Sequence, residues 1–323
     1  MNKCKKGFLK MTFDNPALKL SVLMTVYNGM PYLPDAVQSI LCQDFTEFEF
    51  VIVDDGSTDG TAFYILQLQD PRIVYLRQEN GGTAAAANLG LTSCRGEYLA
   101  RMDADDIALP TRFSKQVKFL DEHAEIGILG TQVAPMGQAR VGRSLILPST
   151  NKAIVESLFK GKHALCHPTL MMRTQLLKQI GGYWKLKLVD DWDMMLRMTE
   201  ITNADNLDDV LHHYRVHRGS LNGSKMRQLR FAVDYCIDSA VRRKENRSAI
   251  SVTEFREALA KRPYVRQLVD SIDIYSRSQY RLAIAEILGN ARLIGYARLM
   301  VAALCQPGLA FARVKRMLLG VSN

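Results

Sequence analysis

The sequence of 323 residues is 47% hydrophobic and 23% charged, which describes a globular chain of one or two domains with ample material for a core. Its formal net charge of +9 is unevenly distributed. Residues 218–323 contain 19 Lys or Arg and 8 Asp or Glu, a balance of +11, so the preceding 217 residues carry −2. This basic C-terminal part is predicted to attract an anionic partner, and membrane, nucleic acid and acidic protein all remain open.

Several features of the sequence bear on the compartment. The six cysteines stand singly and form no Cys-x-x-Cys pair, which favours thiols in a reducing compartment over a disulfide framework or a zinc site. The basic residues near the N-terminus precede no continuous apolar segment, so no signal peptide is predicted. No run of eighteen apolar residues is present, so no transmembrane helix is predicted either. We therefore expect a cytoplasmic protein.

Residues 1–18 are interpreted as a leader, and the residues that follow alternate strands with helices. Continuous apolar runs rich in β-branched residues predict buried strands at 20–27, 48–53, 73–76 and within 97–112. Helical spacing predicts helices at 33–41, 61–69 and 83–91. Four repeats of strand, turn and helix predict parallel βαβ units in a doubly wound α/β sheet.

Polar residues follow each of these four strands. They occupy positions 25–28, 54–57, 80–82 and 103–106. Ligands of open α/β sheets bind outside the carboxyl ends of the strands, so these four clusters are predicted to meet in one binding site.

The fourth cluster is acidic. The stretch 97–112, EYLARMDADDIALPTR, places Asp103, Asp105 and Asp106 at the end of a short apolar run. Hard carboxylate oxygens suit Mg²⁺ or Mn²⁺, and Mg²⁺ commonly completes its coordination with substrate phosphates. The alternative is a helix N-cap and a solvated turn before a helix that begins near Pro110.

Beyond residue 110 the pattern is less regular. We predict helices at 111–123, 151–159 and 174–180, strands at 126–131, 166–173 and 208–217, and a loop or short antiparallel region at 134–150. Asp190 and Asp191 precede an amphipathic helix. From residue 218 onward every segment is predicted helical, at 224–247, 252–261, 263–287 and 290–319.

Six motifs in this chain resemble glycosyltransferase family 2 in order and spacing. They are SVLMTVYNG, VIVDDGSTDGT, ENGGTAAAANLGL, YLARMDADDIALP, VDDWDMMLR and YRVH. The resemblance covers about residues 19–220. It implies an inverting enzyme with a Rossmann-like mixed α/β sheet of the GT-A type, flanked by helices. Residues 19–108 would form the nucleotide-binding half, 109–220 the acceptor half and 221–323 a basic helical C-terminal extension.

The resemblance also implies roles for individual residues. Asp191 matches the catalytic base, and Asp55 matches the carboxylate that accepts a hydrogen bond from uracil, in a turn supported by Asp54. Asp103 and Asp105 match the family's metal-binding Asp-x-Asp, with Asp105 the more direct metal ligand and Asp103 nearer the ribose. His217 matches a further metal or diphosphate contact. The implied cofactor is Mn²⁺ or Mg²⁺. The full set implied to bind the nucleotide sugar is Thr25, Tyr27, Asn28, Asp54, Asp55, Gly82, Asn88, Asp103 and Ala104.

One position departs from the family pattern. Ala87 precedes Asn88, where many members carry Arg or Lys near the diphosphate, so a metal would supply more of the neutralisation. The chain also lacks the Gln-x-x-Arg-Trp motif and the membrane helices of processive synthases. We therefore expect a non-processive enzyme that adds one sugar per acceptor. The resemblance implies transfer from a UDP-linked donor to a hydroxyl of a glycan or lipid-linked acceptor in bacterial surface polysaccharide synthesis.

Each assignment has a structural alternative. Asp54 and Asp55 could form an Asx-type turn, and the carboxylates of residues 190–193 could stabilise a helix N-terminus. His217 could be a strand histidine. His167, His212 and His213 are more often structural, and core packing is the default for Trp184 and Trp192.

Two other functions stay open. A nucleotidyltransferase would also hold a metal with carboxylates, but it usually needs a basic phosphate loop, and residues 25–31 contain no Lys or Arg. A catalytically silent nucleotide- or glycan-binding protein is the second alternative, against which the retained acidic residues argue.

The basic tail has two interpretations. Its arginines could form a solvated face. Alternatively, segment 293–319 could lie on an anionic membrane with Arg298, Arg313, Lys315 and Arg316 at the headgroups, which would make the protein peripheral at the inner face of the cell membrane. Basic residues interleaved with aromatic ones are absent, so no nucleic-acid partner is expected.

Overall fold

A computed structural model describes residues 18–184, 189–216 and 225–307, and its centre is a single eight-stranded sheet. The strands are β1 (Leu20–Val26), β2 (Phe48–Asp54), β3 (Ile73–Arg77), β4 (Tyr98–Asp103), β5 (Ile107–Ala108), β6 (Ile126–Met136), β7 (Met171–Arg173) and β8 (Asn203–Arg215). Their order across the sheet is β3-β2-β1-β4-β7-β6-β8-β5.

Helices cover both faces of this sheet. They are α1 (Leu33–Leu41), α2 (Thr61–Leu66), α3 (Thr83–Ser93), α4 (Arg112–Glu122), α5 (Asn151–Phe159), α6 (Thr174–Gln179), α7 (Asp190–Thr199), α8 (Met226–Lys244), α9 (Val252–Ala260), α10 (Tyr264–Leu288) and α11 (Arg292–Cys305). The helix predictions are confirmed within a few residues at each end for all but the last, whose residues from 308 onward lie outside the described part of the chain.

The first half of the sheet is parallel, as predicted. β1 pairs with β2 and β4, and β2 pairs with β3. These strands read as unbroken apolar runs because successive side chains enter two different cores. In β2, Phe50 and Ile52 pack with α1 and α4 on one face, while Val51 and Val53 pack with α3 on the other.

The second half of the sheet is mixed, which corrects the expectation of a wholly parallel sheet from the βαβ pattern and confirms the mixed sheet that the family resemblance implied. β7 runs antiparallel to β4 and β6, and β5 runs antiparallel to β8, whereas β6 and β8 are parallel. β5 has only two residues, and a strand this short shows no periodic pattern by which the sequence could predict it.

The strand predicted at 166–173 is wrong over its first half. Residues His167–Thr169 form a short 3-10 turn, and only Met171–Arg173 pairs in the sheet. Pro168 has no amide hydrogen to donate to a neighbouring strand, and the Thr169 hydroxyl donates to the Cys166 carbonyl at 2.7 Å, which closes the turn.

The C-terminal helices attach to the sheet domain at two places. α8 packs against α7, and α10 and α11 form an antiparallel pair whose Ser276 hydroxyl donates to the Ala302 carbonyl at 2.9 Å. The end of α10 meets the loop after β6, where the Ala139 amide donates to the Leu288 carbonyl at 3.3 Å. Among the helices that the structure describes, none combines the length and apolar character needed to cross a bilayer.

Candidate active site

The four strand ends meet at one edge of the sheet, as the sequence predicted. Thr25 is the register partner of Asp103, and Val26 is the partner of Asp54. Asp54 in turn pairs with Arg77 at the end of β3. The polar residues that follow these strands therefore surround a common cleft.

The turn after β2 is built on two buried carboxylates. Asp54 accepts hydrogen bonds from the Ser57 amide at 2.8 Å and the Tyr75 hydroxyl at 3.0 Å, which agrees with its expected support of the turn. Asp55 accepts from the amides of Gly81 at 2.8 Å and Gly82 at 2.9 Å. Asp55 thus also ties the turn to the glycine-rich segment, a contact that sequence reasoning did not foresee.

The glycine-rich segment leads directly into α3. Gly82 has φ +87, a backbone conformation that favours glycine over other residues. No atom lies within 4 Å of the position that a Cβ would take, so the backbone angle and not steric crowding explains the glycine. The next residue, Thr83, donates its hydroxyl to Asp190 at 3.3 Å. The starts of α3 and α7 therefore meet across the cleft.

The acidic turn divides its three carboxylates between cleft and core. Asp103 keeps 36% of its side chain exposed. Protein surrounds it on the other sides and raises its pKa to about 6; the charges of Asp105 and Asp190 act in the same direction, and Arg101 opposes them. Asp105 is half-buried at the rim, and Ala104 forms the turn between the two.

Asp106 belongs to the framework. It is 1% exposed and accepts hydrogen bonds from His212 Nε2 at 2.8 Å and the Arg215 amide at 2.7 Å. Burial raises the pKa of this carboxyl well above its ordinary value and lowers that of His212. These contacts fasten the acidic turn to β8, so the turn is held by the second half of the sheet.

The start of α7 supplies the opposite wall. Asp190 and Asp191 are the first two residues of the helix, whereas the sequence pattern placed them just before it. Burial raises the pKa of Asp191 to about 7, with Asp190 and Asp103 acting in the same direction, while the Trp192 amide, donating at 2.8 Å, opposes the shift. Asp191 therefore lies within electrostatic reach of the acidic turn.

Asp193, the third carboxylate of α7, is structural. It is 1% exposed and pairs with Arg197 at 2.7 Å. Arg197 also donates to the carbonyl of Gly182 at 2.7 Å, which ties α7 to the residues after α6.

Arg101 lies beneath the cleft and was missed in the sequence. Its guanidinium donates to the Leu23 carbonyl at 3.1 Å and the Thr25 hydroxyl at 3.4 Å, and it lies 3.7 Å from Asp103. Its Nε atom has no partner within the described structure. A single arginine in the otherwise apolar strand YLARMD was the available signal, because a buried cation requires anionic neighbours.

Two of the predicted nucleotide-sugar contacts make structural hydrogen bonds. Asn28, with φ 52, accepts from the Thr58 amide at 2.8 Å and so holds the turn after β2. Asn88 donates to the Tyr183 carbonyl at 2.7 Å and accepts from the Tyr183 amide at 2.8 Å. The oxygen and the nitrogen of the Asn88 side-chain amide are therefore both used in contacts within the protein. Tyr27, by contrast, is 53% exposed and its ring remains open to a ligand.

Aromatic and histidine side chains pack near the start of α7. His167 Nε2 lies 3.1 Å from the Tyr183 hydroxyl, and burial lowers the pKa of this histidine. The Trp192 ring is buried and meets His163 edge-on with centroids 5.4 Å apart. Trp184 is exposed and stacks on Tyr235 at 5.9 Å. His217 lies outside the described residues.

The acidic side chains fit a divalent cation that brings part of its own coordination. Among the described residues no group of three or more His, Cys, Asp or Glu is arranged to hold a metal. Mg²⁺ needs only one or two carboxylates when substrate phosphates complete its shell. Asp103 is destabilised as an anion by Asp105 and Asp190, and a cation beside it would relieve that repulsion.

Another depression lies at the opposite edge of the sheet. Its volume is about 1060 Å³, and Arg95, Glu125, Arg173 and Thr202 are among its lining residues. None of the predicted site residues lines it, and it adjoins the amino ends of β4 and β6. Because open α/β sheets bind ligands at the carboxyl ends, we place the site in the acidic cleft.

Solved structures share this fold at low sequence identity. TarS 1-349 of S. aureus, crystallised with UDP-GlcNAc, matches with a TM-score of 0.60 and 19% identity, over 90% of this chain and 92% of that chain. The mannosyltransferase PcManGT from Pyrobaculum calidifontis, in complex with GDP-Man and Mn²⁺, matches with a TM-score of 0.51 and 18% identity, over 93% of this chain and 80% of that chain. The fold is therefore that of the GT-A glycosyltransferases.

Sequence comparison identifies the family. The model of Glycosyl transferase family 2 matches residues 21–181. EpsE of Bacillus subtilis (strain 168), provisionally named a glycosyltransferase, is 32% identical over 231 residues, 69% of this chain and 81% of EpsE. The O-antigen biosynthesis glycosyltransferase WbnJ of Escherichia coli is 30% identical over 217 residues, 64% of this chain and 83% of WbnJ. The chain belongs to glycosyltransferase family 2.

Proposed function

We propose that this protein transfers one sugar, with inversion, from a UDP-linked donor to a hydroxyl of a glycan or lipid-linked glycan in bacterial surface polysaccharide synthesis. The observation that carries the proposal is that Asp191, at the start of α7, lies across the cleft from Asp103 at the end of β4. The two carboxylates are close enough for the charge of Asp103 to raise the pKa of Asp191. Family membership and the polysaccharide relatives support the reaction class.

The donor is assigned to the side of the cleft formed by β1, β2 and α3. A shallow depression lined by Gly56 and residues 77–80 adjoins Asp55 and suits a nucleobase. The bound UDP-GlcNAc of TarS supports UDP, although GDP-Man in PcManGT shows that structures of this fold differ in their donors. Residues 19–108 then form the donor half and 109–220 the acceptor half.

A divalent cation, Mn²⁺ or Mg²⁺, would be held by Asp103 and Asp105. When bound, it would supply Lewis-acid stabilisation of the departing diphosphate. Ala87 offers the diphosphate no cationic side chain, and the Arg101 guanidinium is engaged below the strand ends. The two carboxylates are therefore the protein's means of recruiting positive charge to the leaving group.

Asp191 is assigned as the base that accepts the proton of the attacking hydroxyl. A carboxyl with a pKa of about 7 is a far better proton acceptor, once ionised, than an ordinary aspartate, and it is still largely ionised slightly above neutral pH. Asp191 approaches from α7, whereas the metal ligands approach from β4. Base and leaving group on opposite sides of the sugar ring give inversion at the transferred carbon.

Calorimetry tests the donor side. UDP is expected to bind more tightly with Mn²⁺ than without it, and Asp105→Ala should remove most of that difference because a metal ligand is lost. Asp209→Ala is the matched control, since Asp209 lies on β8 with half its side chain exposed, paired with Lys115. UDP binding that is indifferent to Mn²⁺ and to Asp105→Ala would refute the metal role.

The variant Asp191→Asn distinguishes a defect in sugar transfer from a defect in UDP binding. This variant keeps the side-chain shape, so UDP affinity should persist, while transfer to acceptor should fall by about 100-fold or more with loss of the base. Donor hydrolysis across a panel of nucleotide sugars identifies the sugar, hexose or N-acetylhexosamine. Transfer that survives in Asp191→Asn would assign the base to another residue, and UDP binding without turnover of any donor would favour a silent binding protein.

If the acceptor is lipid-linked, the protein works at the inner face of the cell membrane. A lipid-linked glycan is confined to the bilayer, and the C-terminal region carries a balance of +11 that suits anionic headgroups.

A further inference from the structure

The outer face of α11 is apolar and uncovered. Leu293, Met300 and Leu304 are 85%, 67% and 80% exposed, and Tyr296 and Ala297 lie exposed between them. The spacing of these five residues places them in one stripe along the helix. We call this stripe the outer face of α11. Large side chains at such exposure in a continuous row indicate a surface that is covered when the protein works.

The opposite side of α11 is already used for packing. Gly295 and Ala302 are buried against α10. Arg298 donates to Glu286 at 3.0 Å and to Gln279 at 2.7 Å. This corrects one detail of the membrane interpretation, because Arg298 is committed to α10 and does not face outward with the apolar stripe.

Charge selects the partner of the outer face. No Asp or Glu follows Glu286, and the last 37 residues contain Arg292, Arg313, Lys315 and Arg316 besides Arg298, which is paired with Glu286. A second copy would bring the same positive charge against it, which opposes association. An anionic bilayer offers apolar depth for the stripe and negative headgroups for the flanking cations.

The helix pair is joined to the acceptor side of the cleft. Arg281, on α10, has its Nη2 atom 3.1 Å from His163 Nε2. The His163 ring packs on Trp192, the residue after Asp191, with ring centroids 5.4 Å apart. If α11 rests on an external surface, these contacts therefore also set the position of the cleft relative to that surface.

We propose that the outer face of α11 lies flat on the anionic surface of a phospholipid bilayer and holds the cleft beside membrane-bound acceptors. Fourteen helical residues extend about 21 Å, less than the roughly 30 Å of a hydrocarbon core, so α11 rests in the interface. The docking stands without the transfer reaction, and only its link to a lipid-linked acceptor rests on the proposed function.

Vesicle flotation of the full chain tests the proposal. Vesicles of phosphatidylcholine and phosphatidylglycerol in equal parts should carry the protein, with less binding at high salt, and pure phosphatidylcholine should carry much less. The double variant Met300→Glu/Leu304→Glu should bind at least about tenfold more weakly, the ratio expected for losing the burial of one large apolar side chain. Leu66→Glu is the matched control, since Leu66 is a 70% exposed leucine on α2.

The outcomes are distinct. Flotation of the double variant at the wild-type level would overturn the proposal. Light scattering that shows a wild-type dimer, lost in the double variant, with no flotation in either protein would assign the outer face to a second copy instead. Donor hydrolysis without vesicles should be equal in wild type and double variant, so a wild type that floats but hydrolyses no donor refutes the transferase proposal alone.

Discussion

The carboxylates of the cleft are held in a state that favours proton uptake. Burial raises the pKa of Asp191, Asp190 and Asp103, and neighbouring negative charge adds to the shift for Asp191 and Asp103. Arg101 acts against this by placing a buried guanidinium 3.7 Å from Asp103. The site therefore combines a better base than free aspartate with carboxylates that remain available to a cation near neutral pH.

This balance predicts a pH dependence. Asp191 works as a base only when ionised, and its pKa is about 7, so kcat/KM should fall about tenfold per pH unit below pH 7 and level off above it. The sign follows from the raised pKa, because protonation, which inactivates the base, is complete at a higher pH than for free aspartate. Initial rates from pH 5.5 to 9 at saturating Mn²⁺ measure the profile.

The control for this profile is UDP binding over the same pH range. The pKa of Asp103 is about 6, so a loss of donor affinity should begin at lower pH than the loss of transfer. If UDP affinity and kcat/KM fall over the same pH range, the loss of activity at low pH arises from donor binding and not from protonation of Asp191.

At the scale of elements, the cleft depends on contacts between segments far apart in sequence. Asn88 on α3 exchanges two hydrogen bonds with the backbone of Tyr183, 95 residues later. Tyr183 packs between His167 and Arg101, with the guanidinium carbon 5.8 Å from its ring centroid. Asn88 thus holds the Tyr183 backbone, and with it the Tyr183 ring beside His167.

Asn88→Ala is predicted to lower stability by about 1–3 kcal/mol, because the amide and carbonyl of Tyr183 lose their partners. UDP affinity should change less than twofold, since the Asn88 side chain is engaged away from the donor. Thermal melting and calorimetry on the same preparation measure the two effects. Thr92→Ala, on the exposed part of α3, serves as control. A variant with unchanged melting and much weaker UDP binding would restore Asn88 as a donor contact.

The sequence predicted the elements better than the partners of single residues. The four parallel strands were recognisable because each is an apolar run buried on both faces, and their common edge follows from parallel pairing. The partners of Asn88, Asp55 and Arg101 could not be predicted, because each depends on a contact between segments that only the packed sheet brings together. β5 escaped notice because two residues carry no period.

At the scale of the whole molecule, the acidic cleft and the basic C-terminal helices are mechanically connected. The α10–α11 pair reaches the sheet through Leu288 at the loop after β6 and through Arg281 at His163. The integrity of this pair depends on Glu286, a carboxylate only 4% exposed that receives the Arg298 guanidinium. Removing one cation from a buried carboxylate costs more than removing a surface ion pair, even where the carboxylate has another partner.

Arg298→Ala should therefore open the helix pair locally. A loss of about 3 kcal/mol, the lower end for a buried pair because Arg298 is one-third exposed, corresponds to about 100-fold faster amide exchange in α11. Hydrogen exchange read by mass spectrometry measures this, and amides of β1 and β2 should keep their protection because the break stays within the C-terminal pair. Arg292→Ala, an exposed arginine of the same helix, should leave exchange unchanged. If the α11 amides exchange equally slowly in wild type and in Arg298→Ala, apolar packing alone holds α10 and α11 together. Vesicle binding should then also be unchanged by the substitution.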